Sequence, residues 1–91
     1  MHYVYVLFSL RDKKLYIGYT ADLKRRLKEH LQGKNASTKY RRPLKLIYYD
    51  AHLSKIDAQR REKYFKTTKG KSTLKQMLKL SLSELFKEFS Q

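Results

Sequence analysis

The sequence predicts a small α+β domain in which three mostly antiparallel strands are flanked by helices, in the order ββαβαα. Two runs rich in β-branched and aromatic residues lie close together near the N-terminus. A leucine repeat with helical spacing follows them, and further helical segments come after a third extended run. The 91 residues match the length of one domain, which we expect to span residues 1–91.

The first two predicted strands form a hairpin. Residues 2–10 and 15–20 carry the β-branched and aromatic side chains, and four charged residues separate the two runs. Because strand residues alternate between faces, Tyr5 on the first strand can meet Tyr16 and Thr20 on the second around a glycine, in a shallow surface lined by hydroxyl groups. Tyrosine is also a favoured strand residue without any further role. The pattern leaves both interpretations open.

An amphipathic helix is predicted at about residues 21–32. Three leucines repeat every four residues within it, and a glycine follows as a stop signal. A rotation of about 100° per residue places Arg26 and His30 beside this leucine stripe, pointing towards the sheet. Taken singly, each favours a structural role, with Arg26 laying its stem over the stripe and His30 forming a hydrogen-bonded edge of the core.

The middle of the chain is predicted to contain a loop, a strand and a helix. Residues 34–42 are polar and basic, and a third strand follows at about residues 44–53. Ser54 and Asp57 form a start signal for a second helix, which we expect to end near Gly70.

A third helical region is predicted from Ser72 onward, with a break near residues 81–83. Its apolar side chains occur at mixed helical spacing and favour core packing against the sheet. An exposed part of the stripe could instead join two copies, so we expect a monomer or a weak homodimer. The stripe consists of Leu74, Met77, Leu78, Leu82, Leu85, Phe86 and Phe89.

The charge of the chain indicates a polyanionic partner. Twenty-two Lys and Arg residues against eight Asp and Glu give a net charge of +14, while 41% hydrophobic residues exclude a disordered basic tail. Nucleic acid is the commonest polyanion, and we expect weak, salt-sensitive contacts to phosphates with little sequence preference. The same cations would also suit a solvated surface. The candidates for phosphate contact are Lys34, Lys39, Arg41, Arg42, Lys45, Arg60, Lys63 and Lys66.

The absence of cysteine excludes disulfides, thiolate catalysis and zinc sites built on cysteine. The sequence has no apolar run of the ~20 residues that span a bilayer and no signal-peptide pattern at its start. We therefore expect a cytoplasmic protein that does not contact membranes and that associates with the nucleoid through its charge.

Glu62 is a candidate metal ligand. It is one of only eight acidic residues, and it lies within the basic run 60–63. Hard divalent cations take oxygen ligands, so a carboxylate is needed where such an ion is bound. An ordinary ion pair with Lys66, one helical turn later, is the better explanation of Glu62 when it is considered alone.

Several of these residues together resemble the motifs of the GIY-YIG nuclease superfamily. Residues 16–18 (YIG) and the following helix resemble the second motif, with Arg26 at the position of the family's arginine. Residues 3–5 (YVY) match the first motif with Tyr3 in place of its glycine, and residues 58–63 match the helix that carries the family's glutamate. The resemblance extends to about Lys71 and is closest to the short stand-alone bacterial members, which are similar to the N-terminal domain of a component of excinuclease ABC.

The resemblance implies a Mg²⁺- or Mn²⁺-dependent DNA endonuclease, with a role in DNA repair or recombination. Tyr5 and Tyr16 would hold or deprotonate the attacking water. Arg26 would stabilise charge on the phosphate, with His30 as a further polar participant. Glu62 would be the single protein ligand of the ion. An asparagine that many members carry after the glutamate helix has no counterpart here.

Two other functions remain open at this point. One is a catalytically weak or inactive nucleic-acid-binding module of the same fold, and the other is a small RNA-binding protein of the ribosome. The charge supports the nuclease and the inactive module equally, whereas the RNA-binding protein needs the charge but gives no account of Glu62. Phosphate binding alone does not require the combination of Tyr5, Tyr16, Arg26, His30 and Glu62, so this combination favours the nuclease.

Overall fold

A computed structural model describes residues 1–89 and confirms the predicted α+β class. Strands β1 (His2–Ser9), β2 (Leu15–Thr20) and β3 (Leu44–His52) form one antiparallel sheet in the spatial order β2-β1-β3. The first hairpin and the third strand lie where the sequence predicts them. The last two residues of the predicted domain lie outside the described part of the chain.

Four α-helices accompany the sheet, one more than predicted, in the order ββαβααα. A short 3₁₀ turn lies in the basic loop, between α1 and β3. The helices are α1 (Leu23–Leu31), α2 (Lys55–Phe65), α3 (Thr68–Met77) and α4 (Lys79–Phe89), and the 3₁₀ turn is Lys39–Arg41.

The predicted start signal of α2 at Ser54 and the predicted stop signal of α1 at Gly33 are both confirmed. Ser54 accepts a hydrogen bond from the backbone N–H of Asp57 at the start of α2. Gly33 follows α1 with a φ of 76°, a left-handed conformation that glycine adopts at little cost. Asp22 caps the start of α1 by accepting from the Arg25 N–H.

The prediction of one helix that continues to Gly70 is wrong. Thr67 starts α3 instead, because its hydroxyl oxygen accepts a hydrogen bond of 2.9 Å from the Gly70 N–H. Gly70 lies inside α3, where any Cβ would collide with the backbone carbonyl of Tyr64. The glycine therefore permits close packing of α3 on α2 and does not end a helix. The break that the sequence predicts near residues 81–83 lies at Leu78, between α3 and α4.

Helices cover both faces of the sheet. On one face, α2 and α3 pack on a core made of Val4, Val6, Ile17, Ala58, Phe65, Leu74 and Leu78. On the other face, α1 packs on Tyr5, Leu7 and Leu44, together with the half-buried Tyr16, Leu23, Leu27 and Leu46. The sequence left open whether the tyrosines line a shallow surface; α1 covers that face, and Tyr5 is buried there.

The apolar stripe at the end of the chain contributes only in part to the core. Leu74, Leu78 and Leu85 are buried, whereas Met77 and Phe86 are exposed. The side chain of Phe89 lies outside the described residues. Between residues 1 and 89, no helix has both the length and the apolar composition that a membrane span requires.

Candidate active site

Tyr5 lies at the centre of the candidate site. It stands on β1 directly opposite Gly18 on β2, and its phenol ring occupies the space that a side chain at position 18 would fill. A Cβ on Gly18 would collide with Cζ and Oη of the ring. Tyr5 is only 1% exposed. The missing side chain of Gly18 is thus what allows the phenol to lie across the neighbouring strand.

His30 connects Tyr5 to the basic loop. Its Nε2 lies 2.8 Å from the Tyr5 hydroxyl oxygen, and its Nδ1 lies 2.7 Å from the hydroxyl oxygen of Thr38. His30 and Thr38 are both 0% exposed. The three side chains form a buried hydrogen-bonded chain. Sequence reasoning missed Thr38, since one threonine in a polar loop gives no signal of burial.

Tyr16 completes an aromatic cluster with these two rings. Its ring centroid lies 6.4 Å from that of Tyr5 and 5.2 Å from that of His30, and the latter two lie 5.5 Å apart. Interplanar angles of 41° to 62° correspond to tilted and edge-on contacts. The cluster therefore brings both predicted tyrosines together with the predicted histidine.

Arg26 lies one helical turn before His30 and remains partly accessible, with 39% of its side chain exposed. Its Nε forms an ion pair of 3.2 Å with Glu29. Its positive charge acts on Tyr5 and favours the ionised phenol. The predicted position of Arg26 beside the packed face of α1 agrees with this placement.

Glu62 lies on α2 and has a side chain that is 23% exposed. Lys66 Nζ donates to its Oε2 at 3.1 Å, so the ion pair expected from the helical spacing is present. The negative charge of Glu62 also contributes to a higher pKa of Tyr5, after burial and the charge of Tyr16. The surrounding groove is lined by Ile56, Gln59, Arg60, Lys63 and Lys66.

The position of Glu62 depends on a polar cluster that the sequence pattern does not reveal. Asp50 on β3 accepts hydrogen bonds from Arg61 (3.0 Å) and Tyr48 (3.1 Å), and its other oxygen lies 2.8 Å from His52 Nε2. Arg61 precedes Glu62 on α2 and also packs over the Phe65 ring. This cluster ties α2 to the edge of the sheet and thereby orients the helix that carries Glu62.

Burial sets the protonation states at the centre of the site. It raises the pKa of Tyr5 to about 12, with Tyr16 and Glu62 adding to the effect and Arg26 opposing it. Burial also lowers the pKa of His30, and the nearby Arg26 lowers it further. At neutral pH, Tyr5 is therefore a phenol and His30 a neutral imidazole.

A family model described as the GIY-YIG catalytic domain matches residues 1–76. This chain belongs to the GIY-YIG family. UPF0213 proteins of Streptococcus pyogenes serotype M5 (strain Manfredo) and serotype M2 (strain MGAS10270) are each 49% identical over 71 residues, which cover 77% of this chain and 76% of each relative. The solution NMR structure of the UPF0213 protein BH0048 from Bacillus halodurans is 39% identical with a TM-score of 0.53, and the match covers 84% of this chain and 83% of that chain.

The two GIY-YIG motifs lie on neighbouring strands. The first motif, at residues 3–5, belongs to β1, and the YIG tripeptide at residues 16–18 belongs to β2. Their register pairs Tyr5 with Gly18, so the absence of a side chain in one motif accommodates the tyrosine of the other. The family match ends at residue 76, and α4 therefore lies beyond it.

The donor set suits a divalent ion that is held by one carboxylate. Within residues 1–89, no group of three or more His, Asp or Glu side chains is arranged to hold a metal ion. Mg²⁺ accepts such a site, because it keeps several waters and takes further oxygens from phosphate. Lys66 occupies Glu62 through its ion pair, so a metal ion at this carboxylate would have to displace the lysine, whose side chain is 54% exposed.

Most of the GIY-YIG domain's candidate DNA-binding cations are exposed, and three of them lie around Glu62. The exposed cations are Lys34, Lys39, Arg42, Lys45, Arg60, Lys63 and Lys66. Arg41 differs, because its guanidinium pairs with Asp12 at 2.6 Å and 3.3 Å and so ties the basic loop to the β1–β2 turn. Arg41 thus has a structural partner in addition to its predicted role.

Proposed function

We propose that this GIY-YIG protein is a metal-dependent endonuclease that hydrolyses phosphodiester bonds of DNA. The observation that carries the proposal is the grouping of His30, Tyr16 and Arg26 around the Tyr5 hydroxyl. The Tyr5 hydroxyl is hydrogen-bonded to His30, and the Tyr5 ring lies beside the Tyr16 ring. The charge of Arg26 lowers the pKa of Tyr5, and the charge of Glu62 raises it. DNA repair or recombination is the context we propose for it, in the cytoplasm and at the nucleoid.

The proposed reaction adds one water across a P–O bond. The water loses a proton, its oxygen bonds to phosphorus, and the leaving oxygen departs and takes up a proton. Tyr5 holds this water and accepts its proton only when the phenol is ionised. Burial opposes that state by raising the pKa of Tyr5 to about 12, and the charge of Arg26 favours it. The positive charges that assemble with the substrate must lower this pKa further.

Arg26 is proposed to bind the oxygens of the scissile phosphate. Glu29 engages Arg26 through Nε, and Arg26 also acts on Tyr5 through a side-chain hydrogen bond, so a phosphate that binds beside Tyr5 would face the same guanidinium. Such donors stabilise the charge that develops on the phosphoryl oxygens in the transition state. Glu62 would hold the Mg²⁺ or Mn²⁺ ion, which supplies Lewis acidity at the phosphate when it is bound.

The experiment is a nicking assay on supercoiled DNA with Mg²⁺ or Mn²⁺. Glu62→Gln and Tyr5→Phe should each lower the nicking rate by at least about 100-fold. Glu84→Gln is the matched control, because Glu84 is an exposed acid on α4 and lines neither the Glu62 groove nor the α4 pocket. Cleavage that persists in the Glu62→Gln protein would remove the metal assignment, provided that melting curves show the variants to be folded.

A non-catalytic nucleic-acid-binding module is the second candidate. Its support is that Tyr5 is a phenol at neutral pH and that Glu62 is already paired with Lys66. This function predicts DNA binding without turnover under any divalent ion. The same assay separates the two candidates, because the wild-type protein either converts supercoiled DNA or only retards it on a gel.

A further inference from the structure

The two buried hydrogen bonds that join Thr38, His30 and Tyr5 have a preferred direction, in the sense of which group donates and which accepts. These hydrogen bonds, of 2.7 Å and 2.8 Å, join two hydroxyl groups and one imidazole into a chain. With the imidazole neutral, the three groups carry three protons. Two protons form the hydrogen bonds, and the third points out of the chain at one of its two ends.

The Thr38 end has no place for an outward proton. Thr38 is 0% exposed, and among the described residues the only hydrogen-bond partner of its side chain is His30 Nδ1. Thr38 precedes the 3₁₀ turn Lys39–Arg41 but makes no capping hydrogen bond to it. A hydroxyl proton that points away from His30 would be a buried donor without an acceptor, which folded proteins rarely contain.

The Tyr5 end faces the proposed catalytic centre. Arg26, which acts on the Tyr5 hydroxyl, is partly exposed, so this end lies next to the accessible part of the site. Tyr5 is itself only 1% exposed, so the two ends differ in their neighbours and not in their burial. A substrate water or phosphate oxygen that binds beside Arg26 would accept the outward proton of Tyr5, whereas no substrate group approaches Thr38. The count of protons therefore favours the arrangement in which Thr38 donates to His30 and His30 donates to Tyr5.

We propose that Thr38 is a positioning residue that makes His30 a hydrogen-bond donor to Tyr5. The Thr38 hydroxyl donates to Nδ1, His30 carries its proton on Nε2, and Nε2–H donates to the Tyr5 oxygen. The catalytic consequence rests on the proposed function. His30 stabilises the ionised Tyr5 as a neutral donor and does not take the Tyr5 proton.

The tautomer of His30 tests this directly by NMR. Long-range ¹H–¹⁵N correlation spectra of the full chain distinguish protonated from unprotonated ring nitrogens, and His2 and His52 are the only other histidines. The wild type and Thr38→Ser should carry the proton on Nε2, and Thr38→Val should lose this preference. A proton on Nδ1 in the wild type overturns the proposal, and so does a Thr38→Val protein with an unchanged tautomer.

Kinetics give the second readout. Thr38→Val should lower kcat by roughly tenfold with little change in KM, and it should move the acid limb of the pH profile to higher pH. Thr38→Ser should restore both. A wild type that has the Nε2 tautomer but does not nick DNA supports the directed chain while it counts against the proposed function.

A different observation concerns a pocket that α4 closes on the other face of the sheet. Phe8, Leu15, Leu82 and Phe86 form its apolar walls, around a volume of about 590 Å³. The Phe8 and Phe86 rings meet edge-on with centroids 5.6 Å apart, and Phe86 remains 43% exposed. Leu15 precedes Tyr16 on β2, so this pocket and the aromatic cluster lie on opposite faces of the same edge strand.

The rim of this pocket is positively charged. It includes Lys13, Lys14, Lys71 and Lys75, and none of these four forms an ion pair with a carboxylate in the described part of the chain. The acid at the rim, Asp12, is paired with Arg41. The pocket thus combines an exposed aromatic face with unpaired cations.

We infer that the α4 pocket binds an unpaired nucleotide. Single-stranded nucleic acid is bound by aromatic rings that stack on bases and by cations that follow the phosphates, and Phe86 and the four lysines supply both. The identity of the ligand rests on the proposed function, since a strand of DNA that passes around the edge strand β2 would lead from the catalytic centre to the pocket on the other face.

Fluorescence anisotropy without divalent ions tests this binding separately from cleavage. Phe86→Leu should weaken binding of a single-stranded oligonucleotide by roughly tenfold and change duplex binding by less than about twofold, because only an unpaired base can stack. Lys75→Gln is a companion variant that leaves the walls intact, and it should weaken binding of the single strand. Equal losses for both DNA forms, or an anionic amphiphile that binds the pocket without competition from the oligonucleotide, would overturn the inference.

Discussion

Gly18→Ala offers a direct test of how the two motif strands build the site. The added Cβ would lie 2.8 Å from Tyr5 Cε1 and closer still to Cζ and Oη, whereas ordinary van der Waals contact begins at 3.4 Å. The ring must therefore retreat by about 1 Å. A shift of this size lengthens the 2.8 Å contact between Tyr5 and His30 beyond hydrogen-bonding range.

The expected cost follows from these two effects. Overpacking costs about 1–3 kcal/mol, and a displaced Tyr5 leaves His30 Nε2 buried without its partner, at about 1–3 kcal/mol more. Because one movement of the Tyr5 ring relieves the overpacking and also breaks the hydrogen bond, the two costs do not add in full. We expect a loss of about 2–4 kcal/mol in the free energy of unfolding. For a domain of this size, that corresponds to a fall in Tm of at least about 8 °C.

Urea denaturation of a double-mutant cycle with Tyr5→Phe measures the coupling. Phenylalanine keeps the colliding Cζ but has no Oη and no hydrogen bond to His30 left to lose, so the double variant should be less destabilised than the sum of the single variants by about 0.5–2 kcal/mol. Nicking by Gly18→Ala should also fall, since the Tyr5 hydroxyl has moved. A Gly18→Ala protein within about 0.5 kcal/mol of the wild type, or strictly additive effects, would refute the reasoning.

Three further predictions concern charge. Asp50→Asn should lower the free energy of unfolding by about 1–2 kcal/mol in urea titrations, because Asp50 accepts from Arg61 and two other side chains; an unchanged midpoint would show that the cluster contributes nothing. Hydrogen bonding to Arg41 lowers the pKa of Asp12 from 3.8 to about 2, so Asp12 stabilises the fold above pH 4 and this contribution is lost as the pH falls towards 2; Asp12→Asn should lack that part of the acid sensitivity in melting curves. Lys63→Gln should weaken binding to all DNA sequences alike and reduce the slope of log K against log salt by about 1, whereas an unchanged slope would exclude Lys63 from phosphate contact.

Sequence reasoning succeeded where the signal is local. The alternation of β1 and β2, the leucine repeat of α1 and the Ser54 cap each involve residues within a few positions of one another. The boundary between α2 and α3 was missed because Gly70 has two opposite uses. A glycine after a helical run is a common stop signal, but here the packing of Gly70 against the backbone of Tyr64 keeps it inside the next helix.

The sequence by itself determined the α+β class, the charge and the residues that match the GIY-YIG motifs. Only the tertiary structure decided that α1 buries Tyr5, that His30 bonds to it across 25 positions, and that Thr38 completes the chain. The physical reason is that a buried hydroxyl or imidazole takes whichever partner the packing of distant segments brings within about 3 Å. The periodicity of the sequence does not show which distant side chains will form such a hydrogen bond.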